Sequence, residues 1–468
     1  MAKLKNRNAG VILFFIISIL ILFLFEPPLK STMDKEFLQV YLYVFIGSLV
    51  VYLIYENQKN WFRLDILFLF GFAIVHFQWP MMLSISDIEP IRFEKLQSNY
   101  VYINYGTWLS TIGILFWFLG VVLLKKQKYK KVEYAIEYKY ILWLTGGFFA
   151  LFLLTAGSNF FTGSVYKGEG GSASGEGISG YIQLFFTISL TILTVLILLD
   201  AKKTHQKSTM GFVLNLNRIF LLISIMYIFI FLAAGDRGGP MQFMMVLLIL
   251  IGSVIRPIKF KEFSLIIIMG AIVLTIVGAG RANTSDENIL LAGANSIELT
   301  SKYDFSINLA NSARTLYIAL AHVPEEHEPF LGQLWIGSLL GIVPFAQKTY
   351  LNISEMKPYE ISSPQYITYL RYGENASSGE GTTIIADIYL NFGEGGVIVI
   401  MFLLGLFFKK LQNELNLQKN LYWIIIAISL GGVAFYMGRG MLLSSYRTMI
   451  WSLILVFIFV KFEKRIIK

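Results

Sequence analysis

The turn Gly235-Asp236-Arg237-Gly238-Gly239-Pro240 sets an arginine and an aspartate between two apolar runs, 219–234 and 241–255. Two more arginine-bearing breaks, Gly280-Arg281 and Gly438-Arg439-Gly440, also follow apolar runs. Arg314 and Arg447 lie in the polar segments nearby. A guanidinium is planar, permanently charged and donates two parallel hydrogen bonds, which suits a phosphate group. Arginines gathered at one face of a membrane protein therefore point to an anionic ligand, and a phosphate group is the natural candidate. The flanking glycines let backbone and ligand approach closely. Taken singly, each arginine also suits a helix cap or a side chain snorkelling to lipid headgroups.

A transfer reaction that expels a diphosphate needs positive charge on the leaving group, from arginine or from a divalent metal. Arg237 and Arg281 are the expected carriers of that role, with Arg314, Arg439, Arg447 and Asp236 completing the substrate contacts. An acceptor hydroxyl also calls for a base, and His322, Glu374, Glu380 and Asp387 are available. His322 closes a helical stretch that carries Arg314 two turns earlier, although a histidine before Pro324 also reads as a helix C-cap. Metal ligands are sparse. Asp87-Ile88-Glu89 has a chelating spacing, and His322 and His327 flank an acidic turn, but a solvated loop explains both. With no cysteine and four histidines, no metal site and no cofactor are expected.

These residues need a scaffold, and the composition says which. The chain has 468 residues, of which 56% are hydrophobic and 15% charged, and its mean hydropathy is +0.63. Apolar runs reach the ~17–20 residues that cross a bilayer. They fall at 10–25, 37–55, 64–85, 103–124, 140–157, 181–199, 219–235, 241–255, 264–280, 384–408, 421–437 and 448–460. The reading is an all-α polytopic membrane protein with about twelve spans, forming a single membrane domain over 1–468. Glu26-Pro27-Pro28 follows the first run where a cleavage site would need small residues, so that run reads as a retained helix and not a signal peptide.

Orientation follows from lysine and arginine. With both termini in the cytoplasm, 25 of the 39 basic residues fall inside and 22 of the 30 acidic residues fall outside. The inner set includes the cluster at Lys125–Lys131, and 20 of its 25 members are lysine. Outside, seven of 14 are arginine: Arg92, Arg237, Arg281, Arg314, Arg371, Arg439 and Arg447. Orientation alone does not ask for arginine outside, whereas phosphate recognition does. The net charge of +9 is thus a topology signal, and nucleic acid need not be invoked.

Two outer segments are long. Residues 158–180 are so rich in glycine and serine that a mobile loop is expected. Residues 281–383 form one large extracytoplasmic loop with structure of its own. Within it, 305–322 has the periodicity of an amphipathic helix, and 330–346 is apolar, short and glycine-rich, as in an interfacial or re-entrant helix. The spans are poor in charge, with no chain of carboxylates of the sort an ion-coupled transporter uses.

The run Gly381-Thr382-Thr383-Ile384-Ile385-Ala386-Asp387-Ile388-Tyr389-Leu390-Asn391-Phe392-Gly393-Glu394-Gly395-Gly396 resembles the late-chain motif of Wzy-type polymerases of O-antigen and capsule repeat units. The turn at 234–239, the pattern Arg439-Gly440 … Tyr446-Arg447, and the large loop before the last three spans are similar to that family as well. Arg281…Gly293 and Arg371…Gly381 each miss by one the Arg-x10-Gly spacing of some members. The resemblance implies a GT-C-like fold in the bacterial cytoplasmic membrane. It implies an enzyme that joins oligosaccharide repeat units carried on undecaprenyl diphosphate at the outer face, for O-antigen, capsule or exopolysaccharide. Donor and acceptor would both be lipid-linked oligosaccharides, with membrane lipid around them and a chain-length regulator and a flippase as partners. Asp387 and Tyr389 would belong to the site by their place in the motif. An O-antigen ligase shares the donor, and a transporter or flippase of lipid-linked oligosaccharide shares the cargo; both stand as alternatives.

Overall fold

The computed structural model describes residues 2–85, 97–124, 137–162, 178–201, 211, 216–282, 289–296, 304–376, 378–418 and 420–466. The described chain is helical without a strand. The long helices are α1 (Ala2–Leu24), α2 (Lys35–Glu56), α3 (Leu64–Ile85), α4 (Ile103–Leu123) and α5 (Lys139–Thr155). After a short α6 (Ser158–Thr162) come α7 (Ile178–Ala201), α8 (Arg218–Ala233), α9 (Gly238–Leu250) and α10 (Phe260–Ala282). Short elements follow: α11 (Ile289–Ser296), α12 (Asp304–Ala310), α13 (Arg314–His322), α14 (Ile336–Leu340), α15 (Ala346–Ser354) and α16 (Ser363–Tyr372). The chain ends with α17 (Ile384–Leu417), α18 (Leu421–Val433) and α19 (Tyr446–Ile466).

Among the described residues, eight helices are long and apolar enough to cross a membrane, and three apolar helices are shorter: Ala9–Leu24, Lys139–Thr155 and Arg218–Ala233. The protein is therefore a multi-pass membrane protein. Helices α3 and α4 form its centre, with α4 lying along α17 and against α1 and α2. Only 17% of the most apolar stretch of α10 is buried, and Trp143, Leu154, Phe229 and Leu265 stand exposed on peripheral helices. Apolar side chains that face outward on all sides are what a lipid environment requires. Polar caps start the helices where the backbone donors need partners. Asp34 accepts from the N–H groups of Glu36 and Phe37, Asn217 caps α8, and Thr383 caps α17.

Residues 289–296 and 304–376 gather at one end of the bundle, the loop face. Asn311 accepts from the Trp79 indole at the end of α3 (3.1 Å), and Ile342 accepts from the Trp451 indole of α19 (2.9 Å). The expected amphipathic helix over 305–322 forms as α12 and α13 with a tighter 3-10 step at Asn311–Ala313 between them. The expected single helix over 330–346 does not form. That stretch is a 3-10 turn at Gln333–Trp335, then α14 and turns. The reason lies in α17, which breaks at Gly393 (φ 64°). The break leaves the Leu390 carbonyl to accept from the Phe330 N–H (3.0 Å), while Asn391 accepts from the Leu334 N–H (3.2 Å). Residues 330–335 are thereby docked on a transmembrane helix instead of forming one. The Asp87–Glu89 pair, the Lys125–Lys131 cluster and most of the expected mobile loop at 158–180 lie outside the described residues.

The opposite end carries a buried charge network. Arg63 pairs with Asp65 (2.6 Å) and Glu56 (3.3 Å), and Lys409 of α17 reaches Glu56 (2.5 Å). Tyr52 donates to Asp65. The side chains of Glu56 and Lys409 are each 2% exposed, so the network joins α2, α3 and α17 with its charges matched away from water.

Candidate functional site

Arg237 begins α9 where the chain turns back after α8. Asp236 shapes that turn: its Oδ1 accepts from the N–H groups of Gly238 (2.8 Å) and Gly239 (3.4 Å). The Arg237 side chain lies across α10, and its Nη1 donates to the Leu274 carbonyl (3.3 Å). Gly278 makes the room. A Cβ there would sit 2.8 Å from Arg237 Nη1. One turn on, Arg281 lies in the last turn of α10 against α11, and the two helices touch backbone to backbone, since a Cβ on Gly280 would fall 1.9 Å from the Ile289 carbonyl oxygen. The charges of Arg237 and Arg281 both act on Asp236. Burial nevertheless leads, and it pushes the Asp236 carboxyl above the usual range.

Arg439 ends a 3-10 segment, Ala434–Arg439, that packs directly on α3. A Cβ on Gly71 would lie 1.8 Å from the Phe435 carbonyl oxygen. That close approach holds Arg439 at the loop face, where it is exposed. Arg237 and Arg314 both act on its charge, and Tyr436 feels both Arg237 and Arg439. Four of the arginines singled out by the sequence (Arg237, Arg281, Arg314 and Arg439) thus come into one neighbourhood.

They are not equally available. Arg314 pairs with Glu380 at 2.5 Å, and Arg371 reaches the other oxygen of the same carboxylate at 3.1 Å. Tyr372 adds a hydrogen bond to Glu380, whose side chain is 1% exposed. Glu380, a possible base by its sequence position, is instead a buried anchor for two arginines. Among the described residues, no carboxylate forms an ion pair with Arg237 or with Arg439. The site therefore holds two guanidinium groups that repel one another and have no salt-bridged carboxylate among the described residues, an arrangement an anion relieves.

The remaining expected residues sit elsewhere. Asp387 is fully buried and accepts from Ser363 Oγ (2.5 Å), Trp335 Nε1 (3.0 Å) and the Leu442 N–H (2.9 Å). Both its oxygens accept hydrogen bonds from the protein, an arrangement suited to positioning its neighbours. Tyr389 is also buried, and it donates to the Val323 carbonyl (3.0 Å). His322 ends α13 beside Glu326 (3.8 Å), with Glu325 and His327 as its other charged neighbours. Burial holds it below the usual histidine range, and none of the clustered arginines acts on it. Arg447 stands apart, over the ring of Tyr181 (5.1 Å) and lining a cavity with Asp236. Sequence reading missed Gly278 and the pairing of Arg371 with Glu380, because neither follows from spacing. Among the described residues, no three His, Asp or Glu side chains group to hold a metal ion.

The family model of the O-antigen polysaccharide polymerase Wzy matches residues 9–468. No curated protein and no solved structure matches the chain.

Proposed function

The chain belongs to the O-antigen polysaccharide polymerase family, and on that basis we propose that its arginine cluster holds the diphosphate of a lipid-linked donor. The protein is a membrane glycosyltransferase that joins lipid-linked oligosaccharide repeat units, and neither a ligase nor a transporter is favoured by the match. In the proposed site the donor is a polyprenyl diphosphate of the undecaprenyl type. Its tail lies in the bilayer, and its phosphates rest between Arg237, Arg281 and Arg439. Arg314, anchored by Glu380, contributes to the field from behind. The observation that carries this reading is that Arg237 and Arg439 share one neighbourhood with, among the described residues, no carboxylate in an ion pair with either.

The loop face is then the outer face of the bacterial cytoplasmic membrane, and both termini are cytoplasmic. About twelve spans in a GT-C-like arrangement follow if the three shorter apolar helices and α19 also cross. Reporter fusions near residues 170 and 340 check the orientation, and cytoplasmic activity at both points rules it out. A flippase that delivers the units and a regulator of chain length are the partners this chemistry needs.

The test of the site is Arg237→Ala and Arg439→Ala in purified protein in nanodiscs. Each change should lower chain growth by about 10²–10³-fold, the usual effect of removing one group that stabilises developing charge. Binding of undecaprenyl diphosphate should weaken in parallel. Arg237→Lys should restore only part of the rate, since it lacks the planar fork. Polymer of ordinary amount and length from Arg237→Ala at normal expression would reduce Arg237 to a turn residue.

A further inference from the structure

A cavity of about 470 Å³ opens beside the arginine cluster, bounded by α7, α8, α9, α18 and α19. Tyr181 and Arg447 lie toward the loop face, and Thr191 and Ser429 lie deeper along their helices. Its lining is unusually polar for the interior of an apolar bundle: Gln183, Thr187, Gln242 and Ser429 face in together with Tyr227 and Asp236. The side-chain amides of Gln183 and Gln242 and the hydroxyl of Thr187 each carry both donor and acceptor capacity, and Arg447 adds a cationic donor. A hydrocarbon tail would leave these groups without partners, whereas the hydroxyls of a polyhydroxylated ligand both donate and accept. The aromatic rings of Tyr181, Tyr227 and Phe243 in the same wall suit the apolar faces of sugar rings.

Asp236 stands where this cavity meets the arginines. Its Oδ1 is taken by the turn, whereas its Oδ2 makes no hydrogen bond among the described residues. We infer that the cavity binds the terminal sugar of the acceptor oligosaccharide and that Asp236 Oδ2 takes the proton from its attacking hydroxyl. The inference rests on the diphosphate lying at Arg237 and Arg439. In the transfer, the acceptor oxygen forms a bond to the anomeric carbon of the donor sugar as the bond from that carbon to the diphosphate oxygen breaks. The electron pair leaves with the lipid diphosphate, whose charge the arginines hold, and the proton passes to Asp236. Partial burial of Asp236, which favours its protonated form, fits that duty.

Two variants in the full chain in nanodiscs, assayed with its own lipid-diphosphate repeat units, test this. Asp236→Asn keeps an oxygen for the turn and removes the proton acceptor. It should lower kcat by about 10²–10⁴-fold, the usual range for a general base, with acceptor KM and undecaprenyl diphosphate affinity unchanged. Asp236→Glu should recover part of that rate. Gln183→Leu should raise acceptor KM several-fold while retaining kcat. The probe for the cavity is the free repeat-unit oligosaccharide, without lipid or phosphate. It should compete with the acceptor in the wild type and lose potency against Gln183→Leu. Normal growth by Asp236→Asn overturns the base assignment, as does a loss of activity that tracks loss of undecaprenyl diphosphate binding. Equal potency of the free oligosaccharide against wild type and Gln183→Leu overturns the sugar pocket. Failure of the arginine reading is distinguishable, because it appears as unimpaired growth by Arg237→Ala whatever Asp236→Asn does.

Discussion

The carboxylate of Asp387 accepts a hydrogen bond from the backbone N–H of Leu442 at 2.9 Å, and so ties the start of α17 to the short stretch between Arg439 and Arg447. The same carboxylate holds Trp335 and Ser363 of the loop segment. One buried acid thus ties together three pieces of chain that are distant in sequence, those carrying Trp335, Ser363 and Leu442. A carboxylate held in this way is expected to act on the site through the geometry of its neighbours, not through proton transfer.

Asp387→Ala should therefore damage the protein before it damages the chemistry. Three buried donors lose their acceptor, at a cost of about 3 kcal/mol or more in total. The expected outcome is a lower melting temperature in detergent and reduced yield, with chain growth lost in proportion to the misplaced arginines. A base would behave differently. If Asp387→Asn melted like the wild type, bound undecaprenyl diphosphate normally and still made no polymer, Asp387 would take part in the reaction itself.

The membrane helices were legible in the sequence because a bilayer imposes one rule, a long apolar run, on every span. The arginine neighbourhood was legible in part, since glycine-flanked arginines at the ends of apolar runs all project to the same face. Which of them is neutralised was not, because the partners of Glu380 lie 66 and nine positions away and no periodicity links them. The docking of 330–335 escaped for a similar reason: it depends on a single positive φ at Gly393, in a segment that otherwise reads as continuous helix. The cavity left a trace that went unread. Gln183, Thr187 and Thr191 recur every fourth residue along an apolar helix, which places three polar groups on one face.

The network at the opposite face gives a stability prediction. Lys409→Met removes one partner of a buried pair and leaves Glu56 with less compensation. Breaking such a pair typically costs about 3–5 kcal/mol. The double variant Lys409→Met with Glu56→Gln removes the net charge from both positions and should recover a good part of that loss. Thermal melts of the three proteins in one detergent measure it. A single variant as stable as the wild type would show that the charges are not coupled.

If arginines carry the charge of the leaving diphosphate, no divalent metal is needed for that purpose. Chain growth by purified protein in EDTA should stay within about twofold of the untreated rate, since Lewis-acid stabilisation is not the source of the acceleration. Growth that stops with EDTA and returns with magnesium or manganese would reassign the leaving-group charge and direct attention to Asp87 and Glu89.

Gly278 offers the most selective probe of the arginine geometry. A methyl group at this position meets the far end of a flexible side chain, Arg237 Nη1 at 2.8 Å, and no backbone atom within contact range. Gly278→Ala should therefore leave folding intact, and alanine even favours the helix over glycine. What must give way is the guanidinium, which loses its seat against α10 and its hydrogen bond to the Leu274 carbonyl. A displacement of this size at a charge-stabilising group commonly costs tenfold or more in rate, up to about 10²-fold per ångström of misplacement. Gly278→Ala should accordingly show a wild-type melting temperature and expression level, weaker binding of undecaprenyl diphosphate and slower chain growth. Combined with Arg237→Ala it should add nothing further, because both changes remove the same contact. Additive losses in the double variant would mean that Gly278 acts on something other than Arg237.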